Sequence, residues 1–585
     1  MISAAERTIL DSISIEEPWR LVETFSTFVR EHPNDVNRAM DHVVGRLRGL
    51  GVDVTVHEPK LYLSLPGKGR VEAGGKAFNA KPPAYSVDAR NGVEGELFYV
   101  PAQQAKDTSS LFAKRKGGVE EAAKARGKIV ISEGYALPGL MAEFEVLGAV
   151  GIIAVNPGVD VHAAICTSIW GTPDLDDLPR KPKIPAVAVN NPDGKELIAL
   201  ARRGGSVSIF TEMTEGWFAS KIPVVEIRGK REPEKFVLLH GHLDSWDVGV
   251  GDNAVGDATM LEIARVLHGH RDQLARSVRI AWWPGHSTGR YAGSTWYADA
   301  FAMDLDRNCV AQVNCDSPGC RWATEFIELA VMSEAEQFVS EVVAEVAGKK
   351  AVAERPLRAG DYSFNNIGIS SYLMLSSTMP AKLRAEKGYY AVGGCGGNIA
   401  WHTLNDTLEI ADRDILLRDI KVYLLAVLRN ANAEILPFDW RATARDFLET
   451  VKSYQDAAGE LFDLSPSSDA ARALLAALEV FYGDLRAGKL TAAQANQAIM
   501  DLARILVPIN YTREARFRHD PALGVPPLPT LSAATELRSH KQATLGFALT
   551  QLTRGQNRLT AALDQATRLI VSLGRKGRSK ASRKA

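Results

Sequence analysis

Between Ser3 and Leu50, apolar residues recur every three or four positions, as in "WRLVETFSTFVR" and "VNRAMDHVVGRLRGL". That period predicts amphipathic helices. "VDVTVHEPKLYLSLPG" then alternates polar and apolar positions and predicts strands. From about Gly92 to Thr211 the texture changes to short β-runs separated by Gly and Pro, including "RGKIVISEG", "FEVLGAVGIIAVNPG" and "KIPAVAVNNPDGKELIALARRGG". From Ile222, strands and helices take turns: "KFVLLHGHLD", "NAVGDATMLEIARVLHGH", "SVRIAWWPG", "STWYADAFAMDL", "NCVAQVNCDSPG", "SEAEQFVSEVVAEVAG", "SSYLMLSS" and "RDILLRDIKVYLLAVLRNANAE". The sixth of these opens with a capping-box pattern. Such alternation predicts an α/β fold with a mixed, mostly parallel sheet flanked by helices, and ligands beyond the C-terminal strand ends. After Pro437 the pattern is helical to about Leu573, without a strand signal or a cluster of His or acidic residues. This part is expected to serve packing or dimerisation. The expected organisation is an α/β domain from 1–91 and 216–436, a β-rich insert at 92–215, an all-α domain at 437–573 and a tail at 574–585.

Composition narrows the function classes. A chain of 585 residues suggests about three domains, and 46% hydrophobic with 24% charged residues is ordinary for a globular protein. A formal net charge of -1 argues against nucleic acid or an anionic membrane as partner. The N-terminus lacks a basic segment followed by an apolar run, and no stretch reaches the roughly 18 apolar residues of a membrane span. Five scattered cysteines form neither a disulfide framework nor a CxxC zinc pattern. A reduced, cytoplasmic protein is expected. The tail "GRKGRSKASRKA" holds six basic residues and no acid, which predicts disorder.

The candidate chemistry begins in "LLHGHLDSWDVGVGDNAVGD". His242 and Asp244 are two apart on a strand, hence on one face, where the strand runs into loop. Asp252 follows in a Gly-rich loop that opens a helix. Asp316 ends "AQVNCDSPG", and His402 sits in "NIAWHTLNDT". Each lies at or just after a strand end, so one pocket can collect them. Two imidazoles and two carboxylates suit a divalent metal, zinc before Mn, Fe, Co or Ni, as one ion or two. His240 lies one pleat further into the sheet and is expected to be buried structure.

With "GHLDSWDVG" and these ordered residues, the chain resembles the di-zinc aminopeptidase and glutamate carboxypeptidase family, metallopeptidase family 28. The order "GKIV…GAVGIIAV…IPAVAVNNPDGKEL" resembles the protease-associated domain inserted in several exopeptidases. The resemblance implies His242 and Asp316 on one metal, His402 on the other, Asp252 bridging, and Asp244 orienting the His242 imidazole. It also implies a Glu–Glu pair, base and ligand, after the next strand. In "WWPGHSTGRYAGSTWYAD" the pair is absent. Aligned from the strand, His286 and Ser287 stand there; aligned back from "GSTWYAD", Ser287 and Thr288 do. Three readings follow: His286 replaces the base or a ligand, one metal is lost, or the pocket is a non-catalytic relic. A free imidazole titrates near pH ~6.5, which suits it to proton transfer near neutrality.

Weaker candidates are Arg358 as a clamp for a substrate carboxylate, Tyr390 as a substrate contact in a Gly-rich lead into His402, and Cys395 as a nucleophile. The preferred reading is a homodimeric, metal-dependent hydrolase of an amide or related C–N bond in a small-molecule or peptide-like substrate. His286 and Asp244 are its catalytic candidates. A metal-dependent lyase and a non-catalytic binding or dimerisation protein of the same fold are the alternatives.

Overall fold

The computed structural model describes residues 1–103, 105–111 and 123–581. Its central sheet has six strands in the order Val54–His57, Ile222–Ile227, Arg276–Trp283, Glu232–His242, Cys309–Asn314, Ser371–Tyr372. The last four run parallel, and the first two add antiparallel at one edge. A parallel sheet needs cover on both faces, and alternate residues of Glu232–His242 supply two cores. Val237 and Leu239 pack with the helices Pro33–Gly49, Val255–Gly269 and Arg413–Asn432. Phe236 and Leu238 pack on the other face with Tyr297, Ala298 and Phe364.

Strand order places the site. From Glu232–His242 the chain crosses to Arg276–Trp283 on one side, then to Cys309–Asn314 on the other. The order therefore reverses at Glu232–His242, and the loops leaving its C-terminal end diverge to leave a crevice, the usual ligand position in open α/β sheets. His242 is the last residue of that strand.

A second sheet of seven strands spans Lys60–Ala219. Its boundary differs from the expected one at residue 92, because Lys60–Ala73 and Lys76–Ala80 pair into this sheet rather than the first. Lys60–Ala73 lies antiparallel along Ser206–Ala219, so the strands that enter and leave this part of the chain are hydrogen-bonded neighbours.

Local differences have local causes. The expected capping box before Glu336–Ala347 does not form: a 3-10 turn at Ser333–Ala335 precedes the helix, and the Ser333 hydroxyl turns away to Asp446. "SSYLMLSS" contributes only the short strand Ser371–Tyr372. The final helix, Gln542–Ala581, takes in part of the segment expected to be disordered. Residues 582–585 lie outside the described residues. All five cysteines are buried and unpaired. Among the described residues, no helix is long and apolar enough to cross a membrane.

The helices beyond Pro437 share the largest hydrophobic core with the α/β part, so much of their apolar stripe is covered by this same chain. Arg504 joins the two. Its guanidinium donates to the carbonyls of Asp306, Gly368, Leu305 and Cys309. Arg504→Ala strands these carbonyls away from water and is expected to cost about 3 kcal/mol. Denaturant unfolding monitored by circular dichroism checks this, and an unchanged midpoint would contradict the assigned role.

Candidate metal centre

His242 ends its strand with the ring fixed from behind: Nδ1 lies 2.7 Å from the Asp244 carbonyl oxygen. A carbonyl only accepts, so Nδ1 carries the proton and Nε2 presents its lone pair to the crevice. The expectation that the Asp244 carboxylate orients this ring is corrected here. That carboxylate instead accepts the N–H groups of His286 (3.0 Å) and Ser287 (2.9 Å). Side chains two apart share a strand face, but here the chain bends after His242 and brings the carbonyl, not the carboxylate, against the imidazole.

Asp252 reaches the crevice from the turn that opens helix Val255–Gly269. Two buried groups hold this turn. The Asp406 carboxyl accepts the N–H of Gly251 (2.6 Å) and of Asp252 (3.0 Å). Arg30, fully buried, donates to the carbonyls of Leu243, Val248, Gly249 and Phe25, pinning the approach to the turn. Burial, then the nearby charge of Asp252, pushes Asp406 up to about 7.

Asp252 stands between two imidazoles. Its Oδ1 is 2.9 Å from His242 Nε2, and its Oδ2 is 3.0 Å from His402 Nε2. Asp316 Oδ2 lies 3.6 Å from His242 Nε2. The ligand atoms of His242, Asp252 and Asp316 all lie within 4.8 Å of one another. His402 is set like His242: Nδ1 donates to the Ala163 carbonyl at 2.9 Å, and the ring stacks on Trp401 at 3.8 Å. The Ala163 N–H returns a bond to the His402 carbonyl at 2.8 Å, so a loop of the second-sheet region clamps this histidine.

The residues fit a cation. His242 Nε2 and Asp252 Oδ1 are buried, close together, and without a hydrogen-bond partner. A lone pair facing a carboxylate oxygen is repulsive unless a positive charge lies between them. His242, Asp252 and Asp316 form the three-residue cluster; His402 shares Asp252 and offers a neighbouring position.

His286 lies beside this cluster rather than in it. Its ring stacks on His242 at 3.8 Å and meets Tyr291 edge-on at 4.8 Å. Nδ1 bonds Asp361 Oδ2 at 2.9 Å, and Asp361 Oδ1 accepts from Ser294 at 2.7 Å. Burial would push Asp361 up, but the His286 imidazole and the Ser294 hydroxyl outweigh it and hold the acid below its usual range. An ionised Asp361 fixes the His286 proton on Nδ1 and leaves Nε2 free to accept.

The crevice is a narrow cavity of about 50 Å³ lined by Asp252, Asp316, His286, His402, Arg290 and Tyr291, with Leu137, Ile165, Met374 and Trp401 among its apolar walls. Two expected substrate contacts do not line it. The Arg358 guanidinium is spent on the carbonyls of Asp520, Tyr362 and Pro521 and lies 3.6 Å over the Trp170 ring. The Tyr390 hydroxyl bonds His162 Nε2 at 2.8 Å. The Cys395 thiol is buried against Asp406 and is pushed well up by burial, which makes it inert as a nucleophile. His240 is buried between Gln312 and the Trp283 indole, as its pleat position implies. Sequence reasoning missed Asp361, Asp406 and Arg290 as site residues, although each stands three or four positions after a residue it did single out, Arg358, His402 and His286.

Residues 224–427 match the profile described as peptidase family M28. Mouse carboxypeptidase Q is 29% identical over 187 residues, covering 30% of this chain and 39% of that protein. The probable glutamate carboxypeptidase of Zea mays is 22% identical over 484 residues, covering 71% of this chain and 66% of that protein. The chain thus matches less than two thirds of either relative's length. Among solved structures, the Bacillus subtilis zinc aminopeptidase superposes with a TM-score of 0.53 at 18% identity, over 72% of this chain and 96% of its own. A peptidase M28 precursor from Shewanella amazonensis gives 0.54 at 19%, over 74% and 96%. These structures share the mixed α/β fold. The likeness to peptidase family M28 thus covers residues 224–427, the part of the chain that carries His242, Asp252, His286, Asp316 and His402.

Proposed function

We propose that this protein is a metal-dependent hydrolase of an amide bond in a small, peptide-like substrate, with His286, held by Asp361, moving the proton. The observation that carries this reading is the buried contact of His242 Nε2 with Asp252 Oδ1, 2.9 Å apart without a hydrogen bond. His242, Asp252 and Asp316 would hold the ion, and His402 with Asp252 would serve a second. When bound, a divalent ion such as zinc supplies Lewis acidity to a carbonyl and lowers the pKa of water. The relatives' names support this class: one is a zinc aminopeptidase, others are carboxypeptidases. Five unpaired, buried cysteines accord with a reducing compartment such as the cytoplasm.

The resemblance places a glutamate base where this chain has His286 or Ser287, and the histidine suits the role. Its Nδ1–H is engaged by Asp361, so Nε2 can take a proton from the attacking water and return it to the departing nitrogen. Asp361 stabilises the imidazolium between these steps without itself becoming protonated. The Ser287 backbone is tied to Asp244, which fixes the turn that carries His286. Apolar walls keep bulk water from competing with the substrate.

His242→Ala is expected to lower metal content at least tenfold, measured by elemental analysis of dialysed protein, because ligand loss falls directly on affinity. Unchanged stoichiometry would remove the metal assignment. His286→Ala is expected to keep the metal and lose roughly 10²–10⁴ in kcat on a panel of dipeptides and N-acyl amino acids. Loss of the metal in that variant would make His286 a ligand, and full activity would exclude it from the chemistry. Asp361→Asn is expected to retain the metal and slow turnover at least about tenfold, since an amide no longer enforces the Nδ1–H tautomer. Turnover equal to that of the unaltered protein would show that Asp361 does not set the ring's protonation.

A further inference from the structure

The described residues include four buried arginines, and three of them face carbonyl or carboxylate oxygens. Arg30 and Arg358 donate to ring-like sets of carbonyls, and Arg276 donates to the carbonyls of Asn430 and Ala433 and pairs with Glu232. The fourth is Arg290. It is 4% exposed, its Nε is buried without a partner, and no carboxylate among the described residues pairs with it. Its one neighbour of note is the Tyr291 ring, with the guanidinium carbon 4.8 Å from the centroid. A guanidinium stays charged in a protein, so it cannot escape burial by losing a proton. A buried, unmatched cation calls for an anion.

The position of Arg290 says where that anion would come from. It lines the same cavity as Asp252, Asp316, His286 and His402. Arg290 and Tyr291 both adopt left-handed backbone conformations, at φ 46° and 73°, which side chains other than glycine rarely take. Such conformations cost free energy and persist where the surroundings enforce them, commonly at ligand sites. Here they turn the Arg290 side chain into the cavity wall and set Tyr291 between it and His286, 4.8 Å from each. The remaining wall is largely apolar, with Leu137, Ile165, Met374 and Trp401.

We propose that Arg290 is the anion-recognising residue of this site and takes the carboxylate of a substrate whose remaining body is small and apolar. The proposal deepens the hydrolase reading and rests on it for the word substrate. A planar carboxylate matches the guanidinium fork with two parallel hydrogen bonds. Tyr291, between Arg290 and His286, would set the distance from the recognised group to the bond being cleaved. Arg290 is thus a specificity residue, distinct from those that hold the metal or move the proton.

The test uses the full-length protein with its metal and two probes of similar shape, 4-methylpentanoate and 4-methylpentanamide, in titration calorimetry. The acid is expected to bind roughly 10- to 100-fold more tightly than the amide. Arg290→Met is expected to abolish that preference at unchanged metal content, and Arg290→Lys to retain part of it. A preference that survives Arg290→Met overturns the proposal, because the carboxylate is then held elsewhere, as on the metal. Equal binding of the two probes, or no binding of the acid up to millimolar concentration, overturns it as well. Should Arg290→Met not fold, Arg290→Lys decides, since an undiminished preference without the fork contradicts bidentate recognition. The two readings fail separately: an Arg290-dependent preference without hydrolysis sinks the hydrolase reading alone, and hydrolysis without the preference sinks this one alone.

Discussion

The carboxylate of Asp252 faces two imidazoles at hydrogen-bond distance, and much of the surrounding structure serves to keep it there. A buried anion in that position gains from a cation but suffers if its own backbone drifts from the groups that replace solvent around it. Asp406 therefore grips the two amides of its turn, and Arg30 grips the loop that leads into it. The histidines are braced in the same manner, each by a carbonyl behind Nδ1. Fixing the tautomer from behind leaves both lone pairs aimed at Asp252, an arrangement that supporting groups around metal-binding histidines commonly produce.

His286 uses a different brace. A carboxylate, not a carbonyl, stands behind its Nδ1, and Ser294 holds the far oxygen of that carboxylate. The network runs on through Ser363 to the Trp170 indole. A carbonyl orients an imidazole, whereas an ionised acid also stabilises its protonated form. The contrast between the braces matches the proposed division of labour, one histidine moving a proton and two presenting a fixed lone pair.

The parts of the site that were legible in the sequence are those set by short-range geometry. Parallel strands end where "HGHLD" and "NCDSPG" say they do, so His242 and Asp316 arrive together once the sheet forms. His402 was legible through its Gly-rich approach and the family pattern. The partners that tune these residues were not. Asp361 meets His286 across 75 positions, and Asp406 meets Gly251 across 155. No local motif records such a pairing. Arg358 and Arg290 look alike in sequence, yet one is saturated by carbonyls and the other is bare. Asp244 shows the limit of pattern at closest range: its spacing placed it beside His242, but a bend decided which of its oxygens faced the ring. The second sheet starts at Lys60, ahead of the expected boundary, because sheet membership depends on pairing with Ser206–Ala219, far along the chain.

The clamp between His402 and Ala163 also has a meaning in time. These residues are 239 positions apart, and closing so long a loop is among the slower events in folding. During synthesis, Ala163, His242 and Asp252 leave the ribosome long before His402, so the early crevice has the brace but lacks one of its two lone pairs. The centre matures only when nearly the whole α/β part has been made and the second sheet has docked. The order in which the chain's own parts appear thus sets the order in which the centre is assembled.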